Sequence, residues 1–150
     1  MNPGEFNPLR QYALHILGGS ITNLRPPKSD AMHQSQNTPG ITSVVIDRQG
    51  QYQAELFMVP PNVKEIRSHV HPGVDSFEYH IAGDYEFIID GYHHMNKNDG
   101  GPILHSSILG QVDATVPHAG NFTTGGSFIS FQFWRDRPPT SVSDSFSDQV

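Results

Sequence analysis

From Ile41 to Trp134 the chain meets a turn rich in Gly, Pro or Asn about every eight to twelve residues. The segments between are too short for ordinary helices and carry Val, Ile, Phe and Tyr. "ITSVVID", "QYQAELFMV" and "EIRSHVH" come first, separated by "RQG" and "PPNVK". "FEYHIAG", "DYEFIIDG", "PILHSSIL", "QVDATV" and "SFISFQFW" follow. Short strands at that spacing predict an all-β sandwich or barrel. The first two are expected to form a hairpin around Arg48-Gln49-Gly50. In the last, Ile129, Phe131 and Phe133 share one face and Ser130 and Gln132 the other, as period-two alternation requires.

The flanks read differently, and three regions result: residues 1–40, 41–135 and 136–150. In "NPLRQYALHILGG", Leu9, Tyr12, Ala13, Ile16 and Leu17 fall on one helical face. Asn7 is placed to cap that helix, Pro8 suits its first turn, and Gly18-Gly19 ends it, so a short helix on the domain edge is expected. "SITNLRPPKSDAMHQSQNTPG" reads as an extended arm. The last region, "RDRPPTSVSDSFSDQV" after Trp134, has too few apolar residues to fold alone. An arm and a tail of this kind gain order by lying on the domain or on a neighbouring chain.

Charge and composition exclude several functions. Nine Lys and Arg against fifteen Asp and Glu leave a net charge of −6, which disfavours nucleic acid. With no Cys there is no disulfide, no thiolate chemistry and no Cys-based zinc site. No apolar run approaches the roughly 18 residues of a membrane span, so a soluble, cytoplasmic protein is expected. There is no Gly-x-Ser-x-Gly elbow.

The histidines supply the positive signal. The stretch "HVHPGVDSFEYHIAG" places His69, His71 and His80 with Asp75 and Glu78. Residues two apart on a strand share a face, so His69 and His71 can converge on one ion, and Glu78 and His80 repeat the pattern on the next strand. His118, in "VPHAGN", precedes the final aromatic strand. Imidazole suits Fe, Mn, Ni or Zn, with carboxylate or water in support. Arg67 falls on the face of the histidine pair by parity and is placed to bind a substrate carboxylate or to bridge to Glu78 or Asp75. His93-His94 is expected at a solvated hairpin tip, and His105 on a strand. His15 and His33 lie outside the barrel segment.

With these residues the chain resembles the cupin superfamily, of the RmlC-like jelly-roll type, over roughly residues 41 to 135. The family's first motif runs from a His-x-His pair through a Glu to a closing Gly, and here supplies His69, His71 and Gly83. Its second motif ends in a Pro-led turn and a third histidine, matched by His118. Ser76 stands where the family has its Glu, and Asp113 and Thr115 where the second motif has Pro and Gly. The resemblance implies a double-stranded β-helix with a short N-terminal helix or arm, in a homo-oligomer. It also implies a divalent metal held by His69, His71 and His118, as three histidines alone do in cupin-like thiol dioxygenases. An apo protein with a polar, water-filled pocket is the other outcome of the same motif. With the metal bound, Glu78 or His80 would move a proton on a small polar molecule, in dioxygenase-, isomerase- or lyase-like chemistry or in simple binding; the two are otherwise a satisfied inward polar pair. A second reading takes the barrel as a non-enzymatic structural or attachment subunit of a large assembly such as a phage or virus particle, with neighbouring subunits as partners.

Overall fold

The computed structural model describes residues 7–19, 24–26, 33–34, 40–61, 63, 65–89, 92–96, 108–112 and 115–148. Helix α1 (Asn7–Gly18) precedes the strands β1 (His33–Gln34), β2 (Thr42–Gln49), β3 (Tyr52–Val59), β4 (Glu65–Val70) and β5 (Val74–Ile89). The strands β6 (Tyr92–Asn96), β7 (Ile108–Val112) and β8 (His118–Trp134) follow. A 3-10 turn (Val142–Ser145) and β9 (Ser147–Asp148) complete the order. The hairpin forms as expected, with Gln49 opposite Tyr52 and the turn at Gly50-Gln51.

Two strands are longer than the sequence pattern suggests. "FEYHIAG" and "DYEFIIDG" are one strand, β5, and the final strand begins at His118. β5 and β8 pair antiparallel along their lengths and organise the sheet. The first half of β5 also carries β7, and its second half carries β6. The second half of β8 carries β3, with β2 and β1 beyond, while its first half carries β4 and then β9.

Between the halves both long strands turn on glycine. Gly83 has φ 91° and Gly125 φ 76°, a backbone region that costs glycine little. A Cβ on Gly83 would run into the Gly125 carbonyl, and one on Gly125 into the Val59 carbonyl. The register shifts between His80 and Ala82 and between Gly83 and Tyr85, so the bend is also bulged. The residues 90–91, 97–107 and 113–114, with His105 among them, lie outside the described residues. His93 and His94 belong to β6, opposite Ile88 and Phe87, and not to a hairpin tip.

The alternation on β8 separates two layers. Ile129 and Phe131 join Ala54, Phe77 and Tyr79 in an apolar face that Leu9, Tyr12 and Ala13 of α1 cover. The helix therefore lies across a sheet face, not at the domain edge, because that face is too apolar to meet water. Tyr12 is fixed there by its hydroxyl, which donates to buried Asp47 at 2.7 Å. The opposite face is polar: Gln53, Glu55, Ser130 and Gln132 are all buried there. Gln132 donates to Glu55 and accepts from Gln53 and from the Trp134 indole. Ile41, Phe57, Val59, Val63, Val74, Trp134 and Val142 form a second buried apolar cluster.

Candidate metal centre

His69 and His118 sit directly opposite each other where β4 pairs with β8, and His71 follows immediately after β4. One ligand atom from each of the three lies within 4.8 Å of the others. The His69 and His118 rings are 4.3 Å apart, and His71 lies 4.7 Å from His69 and 5.1 Å from His118. His69 and His118 are buried and His71 is half-buried.

The outward nitrogens are held by the protein. Nδ1 of His69 donates to the Arg67 carbonyl at 2.6 Å, and Nδ1 of His118 to the Val116 carbonyl at 3.2 Å. His71 bonds the Val142 carbonyl, and its Nδ1 lies 3.4 Å from the Ser145 hydroxyl. A carbonyl accepts only from a protonated nitrogen, so Nδ1 of His69 carries a proton. Its Nε2 faces Nε2 of His71 at 3.1 Å. Burial, then the charges of His118 and His69, push the pKa of His71 well below its usual value, against the Val142 carbonyl. Burial, then His69, takes His118 down to about 3, against the Val116 carbonyl. Both rings are neutral at pH 7, the state in which imidazole binds a metal.

No carboxylate joins the three histidines in this group among the described residues. Asp75 is turned to Arg135, whose guanidinium grips it with two bonds of 2.8 Å. Ser76, at the position where the cupin motif has Glu, is buried and bonds Glu78. Glu78 also accepts from Ser130 at 3.2 Å, and its Oε2 has no partner among the described residues. Burial, helped by the nearby charge of Glu55, pushes its pKa up to about 7 against the two serine bonds. His80 is buried on the same stretch of β5 and donates from Nε2 to the Gly83 carbonyl at 2.6 Å, clasping the bend.

Arg67 is exposed while His69 is buried. The reason is a shift of register between Ile66 and His69, which interrupts the parity that would put Arg67 beside the histidine pair. Its backbone carbonyl accepts from His69 at the centre.

Two contributors escape the sequence reading. Phe146 stacks on His69, rings 4.3 Å apart and 23° from parallel, and meets His71 edge-on at 6.1 Å. Glu55 is fully buried and organises the segment that carries Phe146. The available signals were weak: a Gln-x-Glu alternation in β3 and one aromatic inside "SDSFSD".

No family model and no curated relative matches the chain. Solved structures do. An RmlC-like cupin from Shewanella frigidimarina superposes with a TM-score of 0.58 at 14% identity, covering 77% of this chain and 93% of its own. KdgF from Halomonas sp. gives 0.56 at 14% identity over 71% and 87% of the two chains. The chain folds as a cupin jelly roll. A predicted oxalate decarboxylase from Thermotoga maritima aligns at 0.52 and 13% identity, over 77% of this chain and 96% of that one. Within this cupin fold the histidines occupy β4, the turn after it and the start of β8, as the two motifs imply. No helix among the described residues is long and apolar enough to cross a membrane.

Proposed function

We propose that His69, His71 and His118 hold one divalent transition metal, Fe, Mn, Ni or Zn, and that the protein binds or transforms a small, oxygen-donor molecule there. The observation that carries this reading is the convergence of the three imidazoles, one ligand atom of each within 4.8 Å of the others, with Nε2 of His69 and of His71 3.1 Å apart. Outward Nδ1 bonds to carbonyls, which His69 and His118 both make, are the usual supports of metal-binding histidines. Three neutral ligands leave a dication's charge uncompensated in a buried site, which favours an anionic oxygen ligand in the open positions. When bound, the metal supplies Lewis acidity toward such an oxygen.

The chain's own proton chemistry falls to Glu78. A carboxyl group that titrates near neutrality, with Oε2 unpartnered, can give or take a proton at physiological pH. His80, two residues further along β5, fastens the bend that follows.

The test is metal analysis of protein purified without a histidine tag, before and after loading with each of the four ions. One ion per chain is expected, lost in His71→Ala with the β-sheet circular dichroism unchanged. A chain that takes up none of the four at neutral pH overturns the reading.

A further inference from the structure

We propose that residues 141–148 form a latched strap over the three-histidine centre, with Glu55 as the latch, Phe146 as the cover and the 3-10 turn as the support that orients His71. The orienting role rests on the metal reading above; the covering role does not.

The tail is anchored before it reaches the site. Arg135 holds Asp75, and the Gln53 amide donates to the Thr140 carbonyl. Next come two donors from the tail itself. Ser141 Oγ donates to Glu55 Oε2 at 2.7 Å, and the Val142 amide to Oε1 at 3.0 Å. The barrel supplies the other two bonds to that carboxylate, from Ser43 at 2.5 Å and Gln132 at 3.0 Å. Glu55 thus joins strap to barrel through a fully buried charge with four donors, the condition under which a buried carboxylate is tolerated.

Beyond the latch, three contacts of the tail end on the histidines. The Val142 carbonyl and the Ser145 hydroxyl reach His71, and the Phe146 ring lies on His69. β9 then adds as an edge strand to β4, with Asp148 opposite His69 and Ser147 opposite Val70. A segment needed only to fill the core would place apolar side chains there. In this one, Val142 joins the apolar cluster, and the turn after it serves imidazoles.

The carboxylate of Glu55 is satisfied internally by Gln132, Ser43 and Ser141, with Gln53 bonded to Gln132. Phe146, stacked on His69 and edge-on to His71, covers that side of the centre. A strap held by a few polar bonds opens far more readily than the whole barrel unfolds, so its opening sets the rate at which the centre exchanges with solvent.

The experiment measures, on metal-free protein, the rate at which diethyl pyrocarbonate modifies His69, His71 and His118, read by peptide mass spectrometry. The full chain is compared with Phe146→Ala and Ser141→Ala, with folding checked by circular dichroism. The native histidines should react slowly, and His69 faster in Phe146→Ala. Ser141→Ala removes one bond to a charged group, so opening should rise on the order of tenfold to a hundredfold, with all three histidines accelerated together. The orienting role is read on Co2+-loaded protein: Ser145→Ala should alter the visible ligand-field spectrum and speed Co2+ loss to EDTA. If the native histidines react as fast as free imidazole, or if neither Phe146→Ala nor Ser141→Ala accelerates them, the strap is overturned. A protein that takes up no metal but shows the protection pattern sinks the metal reading and leaves the cover standing.

Discussion

Ser130 and Glu78 face each other across β5 and β8, and the serine hydroxyl satisfies Oε1 at 3.2 Å while Oε2 lies buried without a hydrogen-bond partner among the described residues. With its folded pKa raised to about 7 from 4.5, Glu78 stays protonated on a structure that its unfolded chain would meet ionised. The sign follows. Its contribution to stability is fully present below pH 4.5 and is lost as pH rises through 7, for a total on the order of 3 kcal/mol.

Glu78→Gln keeps the volume and removes the titration. Urea unfolding of metal-free protein should show the variant's midpoint rising relative to the native chain between pH 5 and 8. Activity or ligand affinity should fall if Glu78 is the proton carrier. An unchanged pH dependence would place Glu78 in contact with water.

The histidines have the opposite slope. His118, lowered to about 3, and His71, also lowered, are neutral in the fold at pH values where the unfolded chain protonates them. Their contribution is present above about 6.5 and is lost as pH falls toward 3. Metal-free protein should therefore weaken between pH 6.5 and 4, more steeply in Glu78→Gln because the compensating carboxyl is gone. Proton competition for a bound metal, expected below about 6.5 from ordinary imidazole, moves lower for the same reason. A midpoint flat from pH 7 to 4 in both proteins would contradict the buried-imidazole geometry.

Gly83 and Gly50 make a matched pair of tests. Both have positive φ, 91° and 60°, but a Cβ at Gly83 strikes the Gly125 carbonyl whereas at Gly50 nothing lies within 4 Å. Gly50→Ala should cost roughly 1 kcal/mol, the strain alone. Gly83→Ala must also part β5 from β8 at the bend, so it should cost several times more and lower metal occupancy as the two sheet halves separate. Equal costs would mean that the bend carries no close backbone contact.

Much of this molecule is legible in its sequence. The turn spacing gives an all-β fold of paired strands, and the two histidine motifs name the three residues that the fold brings together. What stays hidden is physical in origin. Glycine in a long strand looks like a strand end, so the bends of β5 and β8 read as breaks. A register shift between Ile66 and His69 undoes the parity that periodicity assumes for Arg67. The tail has a disordered composition because its stability comes from bonds to one distant carboxylate, Glu55, and no local pattern announces such a partner. Alternation on β8 correctly separates Phe131 from Gln132, yet cannot say which face turns inward. Apolar residues here face the helix, and polar ones the interior.

That inversion makes α1 part of the fold. Its buried face covers Phe77, Tyr79, Ile129 and Phe131, and Tyr12 supplies one of three donors to Asp47, which is 0% exposed; the others are the Arg25 amide at 3.0 Å and Gln49 at 3.1 Å. Burial and the Asp47 carboxylate push the Tyr12 phenol above its usual range, so it remains a donor at any ordinary pH. Tyr12→Phe keeps the ring and removes one bond to a buried charge, at a cost of about 1.5–3 kcal/mol. Leu9→Ala opens a cavity between helix and sheet and should cost about 2–5 kcal/mol. The histidine centre lies on the other half of the folded sheet, so metal uptake per folded chain should be unchanged in both variants. Urea midpoints and metal stoichiometry measure the two effects separately. If either variant loses no stability, α1 is a dispensable arm, and deleting residues 1–19 would leave the barrel intact.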